Sequence, residues 1–179
     1  MRENKRTWWK DPRHLLSLLL VLLVMAVIYY FSAQPVKKST GTSDSFVTRF
    51  IKFFLPDFKS LPAAKQRLIT RRVSFFIRKT AHLLEFAALG FSLRLHLFAV
   101  ELRQRISRPW LISWAIGSFY AATDEFHQFF VPGRGPRVSD VGIDSLGVLL
   151  GLLFLWLCTR VFRRRKPEPS PGGLNQNEQ

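Results

Sequence analysis

The sequence predicts an all-α fold: a polytopic membrane protein built as a four-helix transmembrane bundle, with an interfacial amphipathic helix between spans 1 and 2. Three observations carry that reading. Apolar runs recur four times along 179 residues, each near the roughly 17–25 residues a helix needs to cross a hydrocarbon core of about 30 Å. Basic residues flank those runs, as in "RRRK" after "GVLLGLLFLWLC". Between the first two runs, aromatic and basic residues mix at steps of three and four.

The charge balance supports the same class. With 27 Lys and Arg against 12 Asp and Glu, the net charge is +15. In a soluble chain that excess would point to nucleic acid. Here it sits beside apolar runs, which fits insertion and anionic headgroups instead. The lipid bilayer is thus the expected partner and nucleic acid is not; nothing in the pattern sets an oligomeric state.

Taken in order, residues 1–14 form a basic cytoplasmic flank, 15–166 the membrane domain, and 167–179 ("PEPSPGGLNQNEQ") a tail without apolar periodicity, expected to be disordered. The first span, Leu15 to Phe31, carries no charge. A signal peptidase cut after Ala33 would put bulky Phe31 where a small residue is preferred, so the run reads as an uncleaved anchor. Next, "DSFVTRFIKFFLPDF" sets Phe46, Val47, Phe50, Ile51, Phe53 and Phe54 among Arg49, Lys52 and Lys59, the pattern of a helix lying on the bilayer. Pro56 ends it, and "LPAAKQRLITRRVSFFIRK" reads as a basic helix leading to the second span.

That span, Thr80 to Val100, is the weakest, because it contains His82, Glu85, Arg94 and His96. Arg94 and His96 are expected to snorkel to the cytoplasmic side. Trp110 to Val131 and Val141 to Phe162 are clearer spans. Cys158 is the one cysteine; it forms no intramolecular disulfide and reads as a small apolar packing residue. Basic residues are equal in number on the two sides of this topology, so orientation rests on the tight clusters at the ends, which put both termini in the cytoplasm of a multi-pass cell-membrane protein.

At a rise of about 1.5 Å per residue, three helices bring polar side chains to one depth. Asp124 and His127 lie about 10 and 6 Å inside the end of the third span, and Asp144 about 7 Å inside a fourth helix capped by Ser139. His82 and Glu85 lie about 6 and 10 Å below the entry of the second. Pairs three or four apart (His82 and Glu85, Asp124 and His127, Asp140 and Asp144) share helix faces. Arg78, Lys79, Arg134 and Arg137 rim the level, and Ser32 and Gln34 end the first span there. A single acid at a helix end, as Asp140 or Glu125, needs only solvation. Seven carboxylates and imidazoles on three helices suggest a site.

The segments "FSAQP", "KTAHLLEFAALG", "ATDEFHQFFVPGR" and "SDVGIDSLGVLLG" together resemble the VanZ-like family of bacterial integral membrane proteins. The family's motif residues match Ser32 and Gln34; Lys79, His82 and Glu85; Asp124, Glu125, His127 and Gln128; Arg134; and Asp140 and Asp144. The resemblance covers about Leu15 to Phe162; the aromatic-basic stretch between the first two spans has no counterpart in its motifs. It implies a cell-envelope setting and, through the founding member, an association with teicoplanin resistance.

Two classes of function compete, with a purely structural network or envelope scaffold as a third. In the first, an intramembrane enzyme acts on a lipid-linked or anionic envelope substrate, with His82, Glu85, Asp124, Glu125, His127 and Asp144 as catalytic candidates. Lys79, Gln128, Arg134, Asp140, Ser32 and Gln34 are then the substrate-binding candidates. A divalent metal on Glu85, Asp124 or Asp144 with a histidine is chemically reasonable, though no ligand spacing supports it and the cofactor stays unassigned. In the second, the same groups relay protons or hold a cation for transport. Polar residues that stop at one level favour a one-sided site over a path.

Overall fold

The computed structural model describes residues 11–34, 47–101, 106–135 and 137–164. The basic residues 1–10, Phe46 and the tail from residue 165 lie outside the described residues. Every regular element among the described residues is helical.

Helix α1 spans Pro12–Ser32. The Asp11 carboxylate accepts from the Arg13 N–H at 2.9 Å, and Pro12 takes the first position, where no N–H is needed. Residues 47–54 form α2, followed by a 3-10 turn at Pro56–Ser60. Val47, Ile51 and Phe58 are buried against Ile69, Val73 and Ile77 of the next helix, while Phe50, Phe53 and Phe54 stay exposed. The branched aliphatics therefore face the protein and the phenylalanines face away.

Helix α3 spans Ala63–Glu101, 39 residues or about 58 Å. The basic lead-in and the second span expected as two pieces are one continuous helix, because no proline falls between Pro62 and Pro109. Helices α4, Pro109–Gln128, and α5, Val138–Arg164, complete the fold. The central helix is α3, which packs against α5, α1 and α4. The core joins Val21 and Ile28 of α1, Phe86, Leu89 and Leu93 of α3, Ala121 of α4, and Val148 and Leu152 of α5.

The α3–α5 contact is backbone to backbone. A Cβ on Gly147 would lie 2.5 Å from the Leu83 carbonyl oxygen, one on Gly151 would run into the Ala87 carbonyl, and one on Gly90 into the backbone of Val148. Small residues four apart on α5 admit this approach, the usual way apolar helices associate where burial from water supplies no drive.

Three helices, Pro12–Ser32, Ala63–Val100 and Val138–Val161, are long and apolar enough to cross a membrane. The order of strength differs from that expected. Within α3, Glu85 and Arg94 are spread along an apolar stretch, whereas α4 concentrates Asp124, Glu125, His127 and Gln128 in its last turns and does not reach the same standard. Arg94 also departs from expectation. It is 7% exposed rather than snorkelling, with its guanidinium 4.6 Å from the Trp110 ring and 6.0 Å from Phe98. The His96 ring bonds the Ser17 hydroxyl of α1 at 3.0 Å.

Candidate functional site

The polar ends of α1, α4 and α5 meet the middle of α3 beneath the turn that follows α4. Gly133 in that turn has φ 82°, a left-handed conformation that only glycine takes without penalty. The Arg134 N–H closes the turn on Val131 O at 3.0 Å, and the Arg134 guanidinium donates to the Phe31 carbonyl of α1 at 3.0 Å. The Arg137 N–H donates to the Glu125 carboxylate. The turn is thereby fastened to α1 and α4. Helix α5 begins at Val138, two residues earlier than a Ser139 cap requires. Ser139 sits inside the first turn, and its hydroxyl donates to Asp140 at 3.2 Å.

Under the turn is a cavity of about 290 Å³. It is lined by Arg78, Lys79 and His82 of α3, Glu125 and Gln128 of α4, Arg134 and Arg137 of the turn, and Asp140 and Asp144 of α5. Seven of the twelve residues singled out in the sequence, from three helices and the turn, line this one space. Glu125 is not the solvated helix-end acid that sequence allows: it is 5% exposed, and Asp144 is 3% exposed. Asp140 is partly exposed and pairs with Lys79, whose ammonium also stands 5.6 Å from the Phe75 ring.

The remaining five sit elsewhere. Asp124 faces α1: its carboxylate accepts from the Ser32 hydroxyl at 2.8 Å and from the Gln128 amide at 2.9 Å, all three side chains being buried. His127, on the same α4 face, stacks on Tyr29 of α1 with ring centroids 4.7 Å apart. One turn earlier the Tyr120 hydroxyl donates to Met25 O at 2.8 Å. That face of α4 is thus the α1 seam. Glu85 lies behind His82, with Oε2 4.0 Å from the imidazole Nδ1 and neither atom hydrogen-bonded. Gln34 follows the end of α1 and is not among the residues lining the cavity.

Tyr29, Tyr120 and Phe75 were not singled out from sequence. Their signals are positional: Tyr29 precedes Ser32 by three, Tyr120 precedes Asp124 by four and Phe75 precedes Lys79 by four, which puts each on the same helix face as a residue singled out.

Electrostatically the cavity is mixed but incompletely paired. Arg134 holds a buried Nε without a hydrogen-bond partner. Burial, then the neighbouring Arg78, lowers the Arg134 pKa from its ordinary value, with Asp124, Glu125 and Glu85 acting in the opposite sense. A guanidinium remains charged under such conditions. Among the described residues, no three His, Cys, Asp or Glu side chains are grouped to hold a metal ion. The recess thus sets four cationic side chains, Arg78, Lys79, Arg134 and Arg137, against three carboxylates, Glu125, Asp140 and Asp144, beside a single lining imidazole, His82.

A family model described as VanZ/LLP1 matches residues 17–159. No curated protein and no solved structure matches the chain.

Proposed function

The chain belongs to the VanZ-like family, with the VanZ/LLP1 match running over residues 17–159, and from that premise we propose that its polar cavity binds the anionic headgroup of a lipid-linked or cell-envelope substrate. In this reading α4 is a fourth span, both termini are cytoplasmic, and the cavity opens at the outer face of the cell membrane. Helix α2 lies along the interface with its phenylalanines in lipid.

The observation that supports this most is Arg134. Its guanidinium bonds Phe31 O through one nitrogen and keeps a buried Nε unpaired at the cavity wall. A buried donor without a partner is costly, and a phosphate or carboxylate oxygen is the acceptor that a guanidinium fits best. Lys79 and Arg78 give the same space further positive charge.

His82 is the candidate base. If the 4.0 Å separation from Glu85 shortens by about 1 Å on substrate binding, Glu85 holds the Nδ1 proton and leaves Nε2 to accept one. Asp144 is the cavity carboxylate best placed to assist, being buried opposite α3. A transport path is less well supported. Phe86, Leu89 and Val148 are buried in the core that lies further along these helices, and their apolar layer interrupts any polar route.

Native mass spectrometry of protein extracted with its own lipids tests the reading. Wild type should retain an anionic lipid or envelope intermediate that Arg134→Gln and Lys79→Gln release. Identical retained species in all three would remove the case for the cavity as a binding site. If the substrate belongs to the glycopeptide-sensitive part of the envelope, a strain lacking the protein should also shift in teicoplanin susceptibility.

A further inference from the structure

The first turns of α3 reach well past the cavity. Counted from His82, the helix begins 19 residues earlier at Ala63, about 28 Å away. One face of this extension is covered, with Ile69, Val73 and Ile77 packed by Val47, Ile51 and Phe58. A second face carries Arg67, Arg71, Ser74 and Arg78, spaced four, three and four apart, so that they form one stripe. Continuing the same spacing by four and three leads to His82 and Glu85.

That stripe borders a groove. About 770 Å³ of space is walled by Phe58 and the Arg67, Arg71 and Arg78 side chains, and no carboxylate stands among its described lining residues. Arg78 lines both this groove and the cavity under Arg134. The two spaces therefore share a side chain at their junction. The cavity holds both signs of charge, and the groove holds only positive charge.

We infer that the groove along Arg67, Arg71 and Arg78 binds the extended portion of the substrate, and that this substrate is an elongated polyanion with several phosphate groups. The inference rests on the cavity reading for where one end of the ligand lies. Its length follows from the helix: Arg67 to Arg78 spans about 16 Å, and Arg67 to His82 about 22 Å. A single phosphate entering the cavity cannot touch Arg67 or Arg71 at those distances. A chain with anionic groups at several points can meet all three guanidiniums, each of which suits a phosphate.

The test uses the full-length protein in zwitterionic nanodiscs, with pyrophosphate and long-chain inorganic polyphosphate as probes in a binding titration. Polyphosphate should bind wild type more tightly than pyrophosphate. Arg67→Gln/Arg71→Gln should lower polyphosphate affinity by about tenfold, the effect of losing two exposed ion pairs, and leave pyrophosphate binding unchanged. Arg49→Gln/Lys52→Gln removes the same charge from α2 and should have a clearly smaller effect. Equal losses in the two double variants, or affinity independent of chain length, overturn the groove. So does a groove variant that changes only the enrichment of phosphatidylglycerol in mixed nanodiscs, which would make the stripe a headgroup shelf. The cavity reading fails separately, when Arg134→Gln leaves pyrophosphate binding intact.

Discussion

Replacing Gly147 by alanine adds one methyl group where α5 meets α3, and its cost can be worked from the structure. The new Cβ would lie 2.5 Å from Leu83 O and 3.1 Å from the Phe86 Cβ. Ordinary van der Waals contact begins at 3.4 Å, so the carbonyl is about 0.9 Å too close. The obstacle is main chain in the middle of a helix, which cannot rotate away as a side-chain end can. Overpacking of this kind costs about 1–3 kcal/mol, and a rigid neighbour argues for the upper half. Removing a helix-interior glycine returns about 0.5–1 kcal/mol. The expected net loss is about 1–2 kcal/mol.

Gly142 supplies the internal control, since nothing lies within 4 Å of a Cβ built there. Gly142→Ala should keep the propensity gain and match or slightly exceed wild type. Reversible unfolding in a defined micelle should place the two alanine variants about 2–3 kcal/mol apart. Equal stability would refute the close α3–α5 contact. The variant also bears on the site, because Gly147 is three residues from Asp144 and its neighbour Leu83 adjoins His82. Parting the helices there should weaken anion binding although no cavity residue has changed.

Ser32→Ala should destabilise by about 1.5–3 kcal/mol, because it removes a hydrogen bond from a buried carboxylate, and thermal unfolding in detergent reads the loss. A cysteine at Gly135 should be labelled by an impermeant reagent from outside the cell and one at Ser107 should not; labelling at Ser107 alone would invert the proposed orientation. Spin labels at Phe50 and Phe54 should meet lipid-soluble oxygen more than a water-soluble quencher, and the reverse would leave α2 in solvent. His82→Gln and Asp144→Asn should fold as wild type and lose turnover once a substrate is known, whereas a catalytic reading of these two fails if either retains full activity.

The helical class and the apolar first and last helices were legible because period and charge are local properties of sequence. The division of the polar residues was not. Spacing puts Asp124 and His127 on one α4 face, and it does; but that face meets α1 rather than the cavity, a matter of how α4 is rotated in the fold. Glu125, one residue from Asp124, points to the cavity instead and takes its hydrogen bond from Arg137, twelve residues further along the chain. Pairing of that range leaves no periodic trace. The continuity of α3 was readable in principle, since no proline falls between Pro62 and Pro109; the shift from basic to apolar composition at Lys79 obscured it. The glycines at 147 and 151 stood in plain view within "GVLLG", yet only the partner backbone reveals what they admit.

The two kinds of polar group depend on each other physically. A cavity that leaves an arginine nitrogen unpaired and carboxylates buried is costly to maintain, and elements free to shift would close around it. The seam of Ser32, Asp124 and Gln128 resists that collapse, because its donors and acceptor are mutually satisfied inside the protein. Gln128 belongs to both sets: it donates to Asp124 and also lines the cavity. Arg134 likewise joins them, gripping α1 through Phe31 O while its buried Nε has no hydrogen-bond partner. A satisfied network next to an unsatisfied one is the arrangement that the proposed anion binding requires, since the fold itself then bears the cost of holding the cavity's polar groups in place.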